Sequence, residues 1–107
     1  MENTDLNRLI MQIIAYSGES IGYSMEALNE VGNKDFSKAE ENIVLAEQSL
    51  RKAHIAHTEI LTYEANNLDK NIVNCLLVHA STHLANAELS KEMAKKIKKI
   101  MGGEQND

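Results

Sequence analysis

The chain has 107 residues, 43% of them apolar but only 4% aromatic, and 11 Lys and Arg against 16 Asp and Glu give it a formal charge of −5. That length suits a single domain, 1–107, with a real but small core. An acidic chain argues against a general nucleic-acid binder, which needs a basic face, and no apolar run approaches the roughly 20 residues of a membrane span.

A core without tryptophan has to be filled by Leu, Ile, Val, Ala and Met. That filling is common in helix bundles, where slim side chains let helices approach closely. Cys75 stands alone, so no intramolecular disulfide forms, and it reads as a small buried apolar residue. "MENTDLNRLI" lacks the basic start and apolar core of a signal peptide, and a soluble, cytoplasmic protein is expected.

There is no proline, and the five glycines are Gly18, Gly22, Gly32, Gly102 and Gly103, so helix breaks are few. The first helix is predicted at about 4–31, with Leu6, Ile10, Ile13, Ser17, Ile21, Leu28 and Val31 on or near one stripe. It ends in "VGNKDFSKAEE", where Gly32 suits a left-handed C-cap and Asp35 an N-cap. The second helix, about 35–65, has the cleanest seam: Phe36, Ala39, Ile43, Ala46, Leu50, Ala53, His57 and Ile60, in alternating steps of three and four. "EANNLDKN" breaks it; Asn66 and Asn67 tolerate a left-handed cap and Asp69 can start a third helix. That helix, about 69–101, carries Val73, Leu76, Ala80, His83, Ala87, Ala94, Ile97 and Met101, and a tail over 102–107 should fray. Lys91, Lys95, Lys96, Lys98 and Lys99 read as a solvated face suited to a helix C-terminus.

Short connections between long helices predict an all-α, antiparallel up-down-up three-helix bundle. Apolar residues also lie off the stripes: Leu9, Ile14, Tyr16, Tyr23, Met25 and Ala27 on the first helix, and Ile72, Leu77, Val78, Leu84, Leu89 and Met93 on the third. Three helices cannot bury two faces of two of their members, so self-association is expected.

The four histidines are His54, His57, His79 and His83. With a turn near residue 68, all four fall at similar heights in an antiparallel hairpin, at about 1.5 Å per residue. Three readings stay open on the residues alone. His57 and His83 can be satisfied core histidines with His54 on the surface. Histidines on facing helices can bind zinc, although no carboxylate accompanies them and there is no HExxH. Or a neutral imidazole can take a phosphoryl group and pass it on, His79 doing so with Thr82 and His83 as donors to phosphate oxygens.

"LLVHASTHL" resembles the third-helix signature of the lactose/cellobiose family of phosphotransferase-system IIA proteins: a histidine, a small residue, Gln, Asp, then His-Leu. "AYSGESIGYSMEAL", "GNKDFSKAEENIVLAEQSL" and "KAHIAHTEIL" resemble that family's first helix, its link into the second helix, and its Ala-His-x-x-Gln-Thr pattern, in register over roughly residues 8–100. The resemblance implies a three-helix subunit that assembles as a homotrimer. It implies that His79 takes phosphate at Nε2 from the carrier HPr and passes it to a cysteine of a IIB partner during uptake of a β-linked disaccharide of the cellobiose, chitobiose or lactose class. His83 matches the family's second histidine, beside the phosphate, and Cys75 and Val78 are candidates for a docking patch. Two positions depart from the pattern. Thr82 stands where the family has an Asp that contributes to a metal site on the trimer axis, and a hydroxyl is a poor Mg²⁺ ligand; no metal and no cofactor are expected, and a trimer that survives chelation. His57 stands where the family has Gln. These departures keep open an alternative, a non-catalytic helical interaction module that has lost phosphotransfer.

Overall fold

The computed structural model describes residues 1–102, and among them only helices occur: α1 spans Asn3–Gly32, α2 Phe36–Asn66 and α3 Cys75–Ile100. They run antiparallel in sequence order and make a slender body about 52 Å long. The helices alone account for that length, since thirty residues at about 1.5 Å each span some 45 Å. The expectation for the tail beyond Gly102 lies outside the described residues.

The seam of α2 packs as its spacing predicts: Ala39, Ile43, Ala46, Leu50, Ala53 and Ile60 are buried, with Phe36 and His57 half-buried. Ile10, Ile13, Ile43 and Ile60 are fully enclosed, each burial contributing about 1.5–3 kcal/mol. The rest of the core is small. Ala27, Ala39, Ala46, Ala53, Ala80, Ala87 and Ala94 have no accessible surface, and neither have Ser17, Ser20 and Ser24 of α1. With so little side chain between them the helices pack closely, and α1 forms the common wall for both α2 and α3.

The serines enter a stripe that the apolar pattern assigned elsewhere. Leu9 and Ala27, read as off the α1 stripe, are buried, whereas Ile21 and Leu28 are only half-buried. On α3 the enclosed residues are Ala80, Leu84, Ala87 and Ala94, so Leu84 replaces the expected Leu76 and Met101, which are exposed. An interface lined by alanine and serine carries little hydropathy contrast, so periodicity placed these stripes a residue or two off.

The α1–α2 turn uses a different residue from the glycine that marks it. Gly32 is still helical; the left-handed residue is Lys34, at φ 60°. Lys34 N–H donates to the Val31 carbonyl at 2.9 Å and Asp35 N–H to the Glu30 carbonyl at 2.9 Å. That pair of bonds is the Schellman closure, with lysine at the position usually given to glycine. Asp35 then opens α2, as expected, its carboxylate accepting from Lys38 N–H at 3.1 Å.

The third helix begins six residues later than expected, because Asp69 does not cap it. Asn67 closes α2 at φ −142°, outside the left-handed region, and Lys70 N–H donates back to the Asn67 carbonyl. The chain then runs without helix to Asn74, itself extended at φ −145° and ψ 171°, with Asn71 accepting from Val73 N–H at 3.1 Å, a local bond that competes with helix. Stretching this link lets Ile72 pack against the core and leaves Val73 exposed, ahead of the helix. Asn74 is the actual N-cap, its side chain accepting from Leu77 N–H at 2.8 Å.

Candidate functional site

The register of α2 against α3 sets which residues meet. Ion pairs Glu40–Lys98 (3.2 Å), Glu47–Lys95 (3.3 Å) and His54–Glu88 mirror about residue 70, two residues later than a turn at 68 implies. The shift follows from the non-helical link before Cys75. His57 therefore lies level with Thr82 and His83, and His54 level with Glu88.

The four histidines separate into three environments. His79 and His83, one turn apart on α3, contact each other: their Nε2 atoms are 3.0 Å apart and the rings meet edge to face, centroids 4.4 Å apart and planes at 90°. His79 is exposed and His83 half-buried. His54 pairs with Glu88 at the edge of the α2–α3 interface. His57 lines an open groove between α2 and α3 with Ile60, Leu61, Leu77, Ser81 and Thr82. At about 100° per residue, Leu77 and Ser81 project from one flank of α3 and the His79–His83 pair from the other. The single band of four imidazoles is therefore a band in height only.

The distance between the two Nε2 atoms, 3.0 Å, is that of a hydrogen bond in which one nitrogen donates and the other accepts. Between two neutral rings this matches one tautomer protonated on Nε2 with a partner protonated on Nδ1. With His83 as donor, the Nε2 lone pair of the exposed ring is held in a defined direction. The helix restricts both rings, since side chains four residues apart lie on one face.

Thr82 is exposed, and its hydroxyl donates to the Val78 carbonyl at 3.1 Å, so its proton is already engaged. Cys75, read as buried, is exposed at the first turn of α3; with the helix starting only there, nothing packs over it. Val78 is exposed as well. Beyond the site, Lys91 bridges to Glu47 and Glu92, and its ammonium, by hydrogen bond and charge, holds the Glu92 carboxyl below its ordinary 4.5. Sequence reasoning missed Glu88, Ser81 and Asn86, the last two lining the His57 groove. Only the true register could have found them, and the register depends on a link whose length the sequence pattern misjudged.

A helical bundle that exposes one imidazole, with a second one a turn away on the same helix, presents a nitrogen nucleophile at its surface. The sequence matches the family described as the lactose/cellobiose-specific IIA subunit of the phosphotransferase system over residues 8–101. It is 35% identical over 95 residues to the lichenan-specific phosphotransferase enzyme IIA component of Bacillus subtilis, covering 89% of this chain and 86% of that protein. It is 28% identical over 92 residues to the N,N'-diacetylchitobiose-specific EIIA component of Escherichia coli, covering 86% and 78%. Among solved structures, the cellobiose-specific enzyme IIA from Bacillus anthracis superposes with a TM-score of 0.86 at 32% identity, covering 94% of this chain and 91% of that one.

This chain belongs to the lactose/cellobiose family of phosphotransferase-system IIA subunits, and it is a phosphoryl-carrier component of sugar transport. No described helix is long and apolar enough to cross a membrane.

Proposed function

We propose that His79 accepts a phosphoryl group at Nε2 from the phosphohistidine of HPr and passes it to the cysteine of a IIB partner, during uptake of a β-linked disaccharide. The observation that carries this reading is the exposed His79 ring with its Nε2 set 3.0 Å from that of His83. The Nε2 lone pair forms the new N–P bond as the donor's N–P bond breaks, and Nδ1 of His79 keeps its proton. His83, freed from the lone pair it had faced, turns its Nε2–H to a phosphoryl oxygen. In the second step the IIB thiolate forms an S–P bond as the N–P bond of His79 breaks, and the neutral imidazole is recovered. Catalysis here is positioning together with donors to the equatorial oxygens. His57, on α2 in the groove facing α3, acts on partner docking rather than on the phosphate itself, and exposed Cys75 extends that docking surface.

The sugar class rests on the relatives named for lichenan and diacetylchitobiose. The family resemblance also implies a trimer with Mg²⁺ on its axis. Exposed Met25, Val78, Leu89 and Met93 support self-association, but the donor set does not suit the metal: Thr82 offers an uncharged hydroxyl already bonded to Val78, where Mg²⁺ prefers carboxylate and water.

Incubation with phosphoenolpyruvate, the general phosphotransferase enzymes and HPr should add one phosphoryl group per chain by intact mass. His79→Ala should add none while its helical circular dichroism is unchanged; a phosphorylated His79→Ala protein would refute the site.

A further inference from the structure

The same two nitrogens can converge on something other than a phosphoryl group. Two Zn–N bonds of about 2.0–2.1 Å, meeting at angles between octahedral and tetrahedral, set their nitrogens roughly 2.9–3.4 Å apart. The Nε2 atoms of His79 and His83 are 3.0 Å apart, closer than the 4.4 Å between ring centroids, so the two rings turn these corners toward each other. The pair sits on consecutive turns of one helix, so its spacing is largely built before any ligand arrives. His79 is open to solvent, which gives an ion access and leaves room for water in the remaining coordination positions.

We propose that His79 and His83 form a two-histidine chelate for a borderline divalent transition ion, Zn²⁺ in the first instance, with water completing the shell. Imidazole selects such ions over Mg²⁺ and Ca²⁺, which require oxygen ligands. No group of three His, Cys, Asp or Glu among the described residues can hold a metal, so the site is a surface chelate of two ligands rather than a structural centre. Binding moves the His83 proton from Nε2 to Nδ1, so that both rings present a lone pair, and no proton leaves the protein. Metal binding rests on this geometry alone. One consequence rests on the relay reading above: a bound ion occupies the lone pair that would accept phosphate, so the loaded protein is blocked until the ion is removed.

Titration of the full chain with Zn²⁺, followed by calorimetry and by imidazole ¹⁵N resonances, tests the proposal. One ion per chain should bind, shifting the rings of His79 and His83 and leaving those of His54 and His57 in place. His79→Ala and His83→Ala should each weaken binding by at least about tenfold, since loss even of an outer partner of a metal ligand costs that much. His54→Ala/His57→Ala should bind as the parent does. Unchanged binding in either single variant, or ring shifts at His54 or His57 instead, would overturn the chelate. Protein loaded with Zn²⁺ and freed of excess ion should accept no phosphate until a chelator is added. If the protein binds Zn²⁺ at this pair but never accepts phosphate even without metal, the relay reading fails and the chelate stands. Phosphate acceptance by a protein that binds no Zn²⁺ there gives the converse.

Discussion

Ser20 donates its hydroxyl to the Ala46 carbonyl at 2.8 Å across the α1–α2 interface, whereas the equally buried Ser17 and Ser24, about a turn to either side, have hydroxyl oxygens without a partner. These three residues do the same packing job and differ in polar satisfaction, so their alanine variants should separate. Ser20→Ala should cost about 1 kcal/mol, the ordinary net worth of a buried hydrogen bond. Ser24→Ala should be neutral or stabilising by up to about 1 kcal/mol, since it removes a desolvated hydroxyl that gains nothing in return. Urea unfolding of the pair reads the difference, and a Ser24→Ala variant as destabilised as Ser20→Ala would mean that a bound water satisfies the hydroxyl. The same accounting, applied to the imidazole pair, explains why two histidines on one face of α3 are tolerated: each satisfies one nitrogen of the other at the protein surface, where water can serve the remaining ones.

Helix ends decide the positions of the elements. Lys34 takes a left-handed conformation at φ 60°, which costs a residue with a Cβ about 1 kcal/mol and costs glycine almost nothing. Lys34→Gly should therefore raise stability by about that amount in thermal or urea unfolding without altering the fold. At the other junction, Asn74 caps α3 through its bond to Leu77 N–H, one turn before His79. Asn74→Ala should lose about 1 kcal/mol and fray the first turn, seen as faster amide exchange over residues 75–78. Because the acceptor imidazole lies just beyond that turn, phosphoryl acceptance from HPr should slow as well. Unaltered exchange in that turn would show that packing of Leu77, and not the cap, holds the helix start.

As a whole the molecule has one well-filled interface, α1 with α2, and a lighter seam where α3 is added. Exposed apolar side chains remain on the outside of α1 and α3, including Met11, Met25, Val78, Leu89 and Met93. A single chain leaves these in water, which is the physical reason to expect assembly. Sedimentation should give a trimer, and the trimer should persist in EDTA, since Thr82 cannot supply the carboxylate of a metal-held axis. Dissociation to monomer on chelation would show that another residue carries the metal.

Much of this was legible without coordinates. The absence of proline, the alternating three-and-four spacing of α2 and the Asp35 cap dictate long helices and a short first turn, because these are local properties of the backbone and of helix periodicity. The pairing of His79 with His83 is likewise local, since residues four apart on a helix face each other whatever the rest of the chain does. What the tertiary structure decided was everything that depends on the link between α2 and α3. Packing of Ile72 against the core goes with a non-helical link that delays α3 to Cys75, moves the mirror point by two residues and the residue facing His57 by about four, and so sends His54 to Glu88 and His57 into a groove away from the other imidazoles. The stripes of alanine and serine were settled the same way, because residues of nearly neutral hydropathy are placed by how closely two helices can approach, and only the assembled core sets that distance.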